Sequence, residues 1–204
     1  MGVISNGTTL LDAGALDSGI ATGAMTLIKT LTASSSGTLS FVHGTSSVVL
    51  DGTYKKYIFK CIDIHPQTDN AEFQINFRDG STAYDATKTT AYIKTRHNEG
   101  DSVAAISYDD GNDIAEGTGV QILIENAGAD NDQCLSGTVE LYDPSSTTFV
   151  KHFITDFNSS SGDNASDHIQ VAGYCNVTAA IDGVQFSMST GNIDSGIIKM
   201  YGIK

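Results

Sequence analysis

No stretch of this chain sustains a 3.6-residue hydrophobic period, whereas from Met25 onward apolar residues recur at every second position in short runs. Period two is the signature of a strand with one face on a core, so the chain has to bury itself as sheets. Leu27, Lys29 and Leu31 alternate with Ile28 and Thr30, and Phe73, Ile75 and Phe77 alternate with Gln74 and Asn76. Further strands are expected over 38–42, 48–50, 57–64, 90–95, 103–108, 120–124, 137–142, 148–155, 169–175, 184–188 and 196–203. Turn chemistry separates them: Asp51-Gly52, Asp79-Gly80, Asp110-Gly111-Asn112, Asp143-Pro144 and Ser161-Gly162-Asp163-Asn164. The run 57–64 is almost continuously apolar and reads as a strand covered on both faces, stopped by His65-Pro66.

Many short strands with no intervening helices describe an all-β, antiparallel, jelly-roll-like β-sandwich. The acidic residues agree: of the 24, 19 are Asp, a turn and cap residue, and 5 are Glu, a helix former. One domain is expected over 26–204, preceded by an N-terminal arm over 1–25 that is rich in Gly, Ala and Asp. Within the arm, Leu10–Leu11 to Leu16 could form a single helical turn before Gly14, Gly19 and Gly23 interrupt it. The core should draw on Phe59, Ile62, Phe73, Ile75, Phe77, Ile122, Leu141, Phe153, Phe186 and Met188. The closing run from Gly196 to Ile203 should return antiparallel beside Val184–Met188 through a loop over 189–195.

Charge limits the partners. Eleven Lys and Arg against 24 Asp and Glu give a formal charge of −13. Nucleic acid and anionic membranes both need a cationic surface, so neither is an expected partner, and no membrane insertion is expected. Residues 1–96 are balanced and 97–204 carry the whole excess, with no Lys or Arg between Arg96 and Lys151. The first 28 residues lack the positive charge that opens a secretory signal.

Catalytic spacing is missing. There is no G-x-S-x-G elbow, P-loop or H-E-x-x-H, and His43, His65, His97, His152 and His168 are scattered, so no catalytic, cofactor-binding or metal-ligating residue is assigned and no cofactor is expected. Calcium could be served by the oxygen-rich turns Asp109-Asp110-Gly111-Asn112-Asp113 and Asp130-Asn131-Asp132, although neither follows the EF-hand pattern. With no Trp, sugar stacking would fall to tyrosines such as Tyr84, Tyr92 and Tyr108. Cys61, Cys134 and Cys175 have no C-x-x-C spacing and read as buried small hydrophobes in strands.

Two stretches carry a resemblance. One runs from Thr45-Ser46-Ser47-Val48-Val49-Leu50-Asp51-Gly52-Thr53-Tyr54-Lys55-Lys56-Tyr57 to Ile64-His65-Pro66-Gln67-Thr68-Asp69-Asn70. The other runs from Ser145-Ser146-Thr147-Thr148-Phe149-Val150-Lys151-His152-Phe153 to the closing Ser189-Thr190-Gly191-Asn192-Ile193-Asp194-Ser195-Gly196-Ile197-Ile198-Lys199-Met200-Tyr201-Gly202-Ile203. They resemble the small β-rich virion structural proteins of tailed, chiefly marine, bacteriophages, whose closing strand has a G-x-I-x-L-Y-G-I-like form; Met200 stands where Leu is usual. The resemblance implies a virion component assembled in the host cytoplasm, with other virion proteins as partners and a homo-oligomer, a trimer by preference. A tail-fibre or tail-tip adhesin that meets a host-surface glycan or protein leads. The alternatives are a capsid decoration protein, or a polysaccharide-binding module or polysaccharide-active enzyme. It implies no catalytic residue.

Overall fold

The computed structural model describes Val3–Ser5, Thr8–Asp12, Ala15–Leu16 and residues 24–204. Among these residues there is no helix, hence none long and apolar enough to cross a membrane. β1 (Val3–Ser5), β2 (Thr8–Asp12) and β3 (Ala15–Leu16) form a small antiparallel sheet of their own. Leu10, Leu11 and Leu16 are therefore in strands, not in the helical turn that their spacing suggested; Gly14 in the sequence between them weakens a helix.

The remaining strands are β4 (Met25–Thr32), β5 (Thr38–Val42), β6 (Lys56–Pro66), β7 (Ala71–Arg78), β8 (Lys88–Asn98), β9 (Ala104–Tyr108), β10 (Gln121–Ala127), β11 (Leu135–Tyr142), β12 (Lys151–Ser160), β13 (Ala165–Cys175), β14 (Gly183–Met188) and β15 (Ile193–Ile203). They make two antiparallel sheets packed as a sandwich. The larger has eight strands in the order β4-β15-β6-β11-β12-β13-β8-β9, and the smaller four, β10-β7-β14-β5. The chain changes sheet at nearly every connection, staying within one only at β8–β9 and along the β11-β12-β13 meander.

Aromatic rings fill the space between the layers. Phe73 and Phe186 stack at 5.7 Å, Phe41 meets Phe59 edge-on at 5.2 Å, and Phe77 meets Phe153 at 4.9 Å. Each of these seven-atom side chains is fully buried, and each hydrophobic side chain of this size contributes about 1.5–3 kcal/mol of transfer free energy. Of the expected core, Phe59, Phe73, Ile75, Phe77, Leu141, Phe153, Phe186 and Met188 are buried. Ile62 is not. With Tyr57, Phe59 and Cys61 inward, alternation turns Ile62 outward, and nothing among the described residues covers that face of β6. Ile122 is only partly buried because a bulge lies between it and Ile124: Ile122 pairs with Gln74, while Ile124 comes opposite Phe73 and enters the core with Leu123.

Three boundaries differ from the sequence reading. Residues 48–50 form no strand; Val48 and Leu50 plug the core from a loop whose backbone is held by His43 and Tyr57. β6 continues through His65 and ends on Pro66, where a missing N–H is tolerated. The closing strand does not lie beside β14. β15 begins at Ile193, too soon for a hairpin loop over 189–195, and the segment 189–192 carries the chain across to the other sheet, where β15 sits between β4 and β6.

Candidate functional site

Nothing among the described residues covers the outer face of the larger sheet. One row can be followed across seven strands through paired residues: Leu27, Tyr201, Ile58, Glu140, Ile154, Ala172 and Ala91. Leu27 is 52% and Ile154 47% exposed, figures that would be near zero under a second layer. Towards β9 the face carries Ile93 opposite Tyr108 and Thr95 opposite Ile106. β9 is exposed at all five positions and pairs on one side only, and β4 is the other open edge.

A hollow of about 350 Å³ lies on this face over β12 and β13. Its walls are His152, Ile154, Ala172 and Tyr174, two directly opposed pairs, with the backbone of Phe153 and Gly173 as floor. The His152 and Tyr174 rings meet at 6.0 Å, inclined by 64°. Next along the strands comes a polar patch: Gln170 donates to Asp156 at 3.0 Å and His168 Nε2 lies 3.1 Å from the same carboxylate. Those bonds from Gln170 and His168 hold the Asp156 carboxyl below its usual range. An apolar and aromatic wall beside fixed acceptors and donors suits an amphipathic ring with hydroxyls at its rim. A second hollow of about 310 Å³, lined by His97, Asn98, Glu99, Asn158 and Ser166 among others, has no tyrosine on its walls.

Two groups of buried charge stand inside the sandwich. At one end Asp167 is wholly buried, with Lys94 Nζ and Arg96 Nε each 3.6 Å from a carboxylate oxygen and no hydrogen-bond partner on either oxygen. Burial pushes its carboxyl above the usual range against the pull of Lys94 and Arg96. Lys94 also reaches Glu125, and Arg96 reaches Asp163 at 2.8 Å. At the other end Lys151, Cys175 and Lys88 are neighbours across β12, β13 and β8, and all three are buried. The lysines hold loop carbonyls: Lys88 donates to Gly119 at 2.6 Å, and Lys151 to Val177 at 2.6 Å and Ser146 at 3.2 Å. Burial pulls the Lys88 ammonium down to about 8 and pushes the Cys175 thiol up to about 12.

The tyrosines chosen from the sequence are mostly elsewhere. Tyr92 is buried in the core, Tyr84 is partly buried, and Tyr108 stands on the outer face with its hydroxyl given to Asp113. Tyr142, Tyr174 and Tyr201 share that face, and their position opposite other outward residues was the available signal. In the turn 109–113, the Asp109 carboxylate accepts from Gly111 N and Asn112 Nδ2; in 130–132, the Asp130 N–H donates to the Gln133 side-chain oxygen. Among the described residues, no three carboxylate, imidazole or thiol side chains group as metal ligands. All three cysteines are free. Cys61 and Cys175 are buried, but Cys134 is only partly so, because it stands in the connection just before β11 and not within a strand. No protein-family model, curated protein or solved structure matches the chain.

Proposed function

We propose that the chain is a virion structural protein of a tailed bacteriophage, an adhesin module of the tail fibre or tail tip that takes host-surface glycan on the outer face of its larger sheet. The observation that carries this reading is the hollow between His152, Ile154, Ala172 and Tyr174, open on an uncovered sheet face beside the Asp156–His168–Gln170 patch. The resemblance of residues 45–70, 145–153 and 189–203 to phage structural proteins supports the setting. A shallow hollow gives weak single-site binding, so the module works through several copies held together, where linked sites raise overall avidity. The open edges β4 and β9 suit a cyclic homo-oligomer, a trimer by preference. Lys29 lies on β4 with Lys199 and Lys60 on the next two strands, whereas Glu99, Asp101, Asp109 and Asp110 flank β9, so the edge of one copy complements the opposite edge of the next.

The test is adsorption of the purified protein to host cells and to their extracted surface polysaccharide, with Tyr174→Ala and His152→Ala beside the parent. Both variants should lose binding at least tenfold while keeping the parent's melting temperature. Undiminished binding would remove this face from the reading. A capsid decoration role is the second reading, favoured by the same two open edges; a density map of the particle that places the chain on the head would select it. Release of reducing ends from the polysaccharide would select an enzyme instead.

A further inference from the structure

At the Asp167 end of the sandwich one carboxylate joins two nitrogens of unlike chemistry. Glu125, on β10 of the smaller sheet, accepts from Lys94 Nζ on β8 at Oε1. Its Oε2 accepts from Asn112 Nδ2 at 3.1 Å, in the connection between β9 and β10. Asn112 Nδ2 also donates to Asp109 Oδ2 at 3.0 Å. Both acceptors are carboxylates, which cannot donate when ionised, so the amide orientation is fixed with Nδ2 towards them. Lys94 is 12% exposed at its side chain and Glu125 21%, so the contact lies largely out of water. Three polar atoms in the neighbourhood are buried without a partner: both oxygens of Asp167, beside Lys94, and the Tyr92 hydroxyl, which lies in the field of Glu125, Asp109 and Asp167. An ion pair alone needs neither the amide nor these unpartnered groups.

We propose that Lys94 and Asn112 become joined by an isopeptide bond whose formation Glu125 promotes. The ammonium of Lys94 passes one proton to Glu125 Oε1. The free amine attacks Cγ of Asn112, forming the Nζ–Cγ bond and placing the carbonyl electron pair on oxygen. Glu125, now a carboxylic acid, protonates Nδ2. The carbonyl re-forms, the Cγ–Nδ2 bond breaks, and nitrogen leaves as ammonia that takes up a second proton from Nζ, so ammonium is released between the Glu125 and Asp109 carboxylates and the third proton stays on the amide nitrogen. Lysine ammonium plus asparagine amide gives secondary amide plus ammonium; no oxidant or further reactant is needed. Holding amine, acid–base group and amide together replaces a bimolecular encounter, the effect that makes such aminolysis fast enough to proceed unaided. The product ties the long β9–β10 connection to β8, the strand next to the open β9 edge of the larger sheet.

The test uses mass spectrometry on the full chain. The intact protein should be lighter than its sequence by one ammonia. Cyclisation of an asparagine before glycine, such as Asn6-Gly7, loses the same mass, so the linkage is read from a tryptic digest. The chain has no Lys or Arg between Arg96 and Lys151, so the unlinked protein yields peptides 89–94 and 97–151 separately. The linked protein yields one branched species joining 89–96 to 97–151, because an acylated Lys94 is not cleaved. Glu125→Gln should abolish the branched species, as should Lys94→Arg, which keeps the cation beside Glu125 and Asp167 but cannot form the amide. Recovery of free 89–94 from the parent in full yield would overturn the proposal. A branched species that persists in Glu125→Gln would overturn the role given to Glu125.

Discussion

Gly196 shows how a single residue sets a register. Its φ is +119°, and a Cβ there would stand 2.7 Å from Asp63 O and 2.8 Å from Ile64 Cα, both backbone atoms of β6. Opposite it, Asp63 has φ +49°, and the β15–β6 register shifts on both sides of Ser195. The two strands thus bulge against each other, and only a residue without a side chain lets them close. Gly196→Ala meets both a strained φ and a backbone clash, and should cost on the order of 1–3 kcal/mol. The thermal midpoint should fall by roughly 2–4 °C per kcal/mol for a domain of this size. Gly119→Ala, with no neighbour within 4 Å and no positive φ, is the control and should leave the midpoint unchanged. Equal midpoints for the two variants would show that the bulge tolerates a side chain. In the sequence Gly196 reads only as the first residue of the closing strand; its role depends on a partner more than a hundred residues earlier, and no local pattern reports that.

At the scale of elements, what could be read locally was read well and what depends on pairing was not. Twelve strands lie between residues 24 and 204, and all of them coincide with segments that the sequence marks as strands, the one that begins at Met25 included; the one further expected strand, 48–50, does not form. Alternation reports that one face is wet, but does not say which sheet receives the strand. Two errors of coverage show the limit. The apolar run of β6 suggested two covered faces, yet Ile62 is 37% exposed; the polar Gln74 and Asn76 of β7 suggested a wet face, yet both are nearly buried, Gln74 bonding to Glu72 and Asn76 to the Thr118 carbonyl. The hollow on the outer face was likewise out of reach, since His152 and Tyr174 meet only through the β12–β13 pairing. β15 has the most to reveal under deletion. It lies between β4 and β6, so a chain ending at Ser195 loses both ladders and leaves β4 with no partner in the sheet. It also loses the buried Ile198 and Met200, together about 3–6 kcal/mol of transfer free energy. A domain holds about 5–15 kcal/mol in all, so the shortened chain should be unfolded or insoluble. Soluble protein with the parent's circular dichroism and melting temperature would show β15 to be dispensable.

For the whole molecule the buried titratable groups set how stability follows alkaline pH. Lys88 titrates at about 8 in the fold and near 10.5 when unfolded, and burial lowers Lys151 in the same sense. Between those values the folded chain binds fewer protons than the unfolded chain, so these lysines make stability rise with pH, beginning near 8 and ending near 10.5. The thiols act oppositely. Cys175 is pushed up to about 12 from 9.0 and burial raises Cys61 further, so above pH 9 the unfolded chain loses protons that the folded chain keeps, and stability falls. Tyr57, raised to about 12 from 10.0, and Tyr92, raised chiefly by burial, add to that fall above pH 10. Two lysines oppose two thiols from pH 9 to 10, and past pH 10.5 the lysines contribute no further rise while the thiols and tyrosines continue downward. The parent should therefore be most stable between about pH 9 and 10 and lose stability steeply above it. Lys88→Met removes part of the rise only, so relative to the parent its stability should decline progressively from pH 8 to 10.5. Cys175→Ala removes part of the fall, so its relative stability should improve from pH 9 upward. Urea unfolding midpoints across pH 7–11 check both signs, and parallel profiles for the parent and Lys88→Met would show that Lys88 titrates in the fold as it does in water.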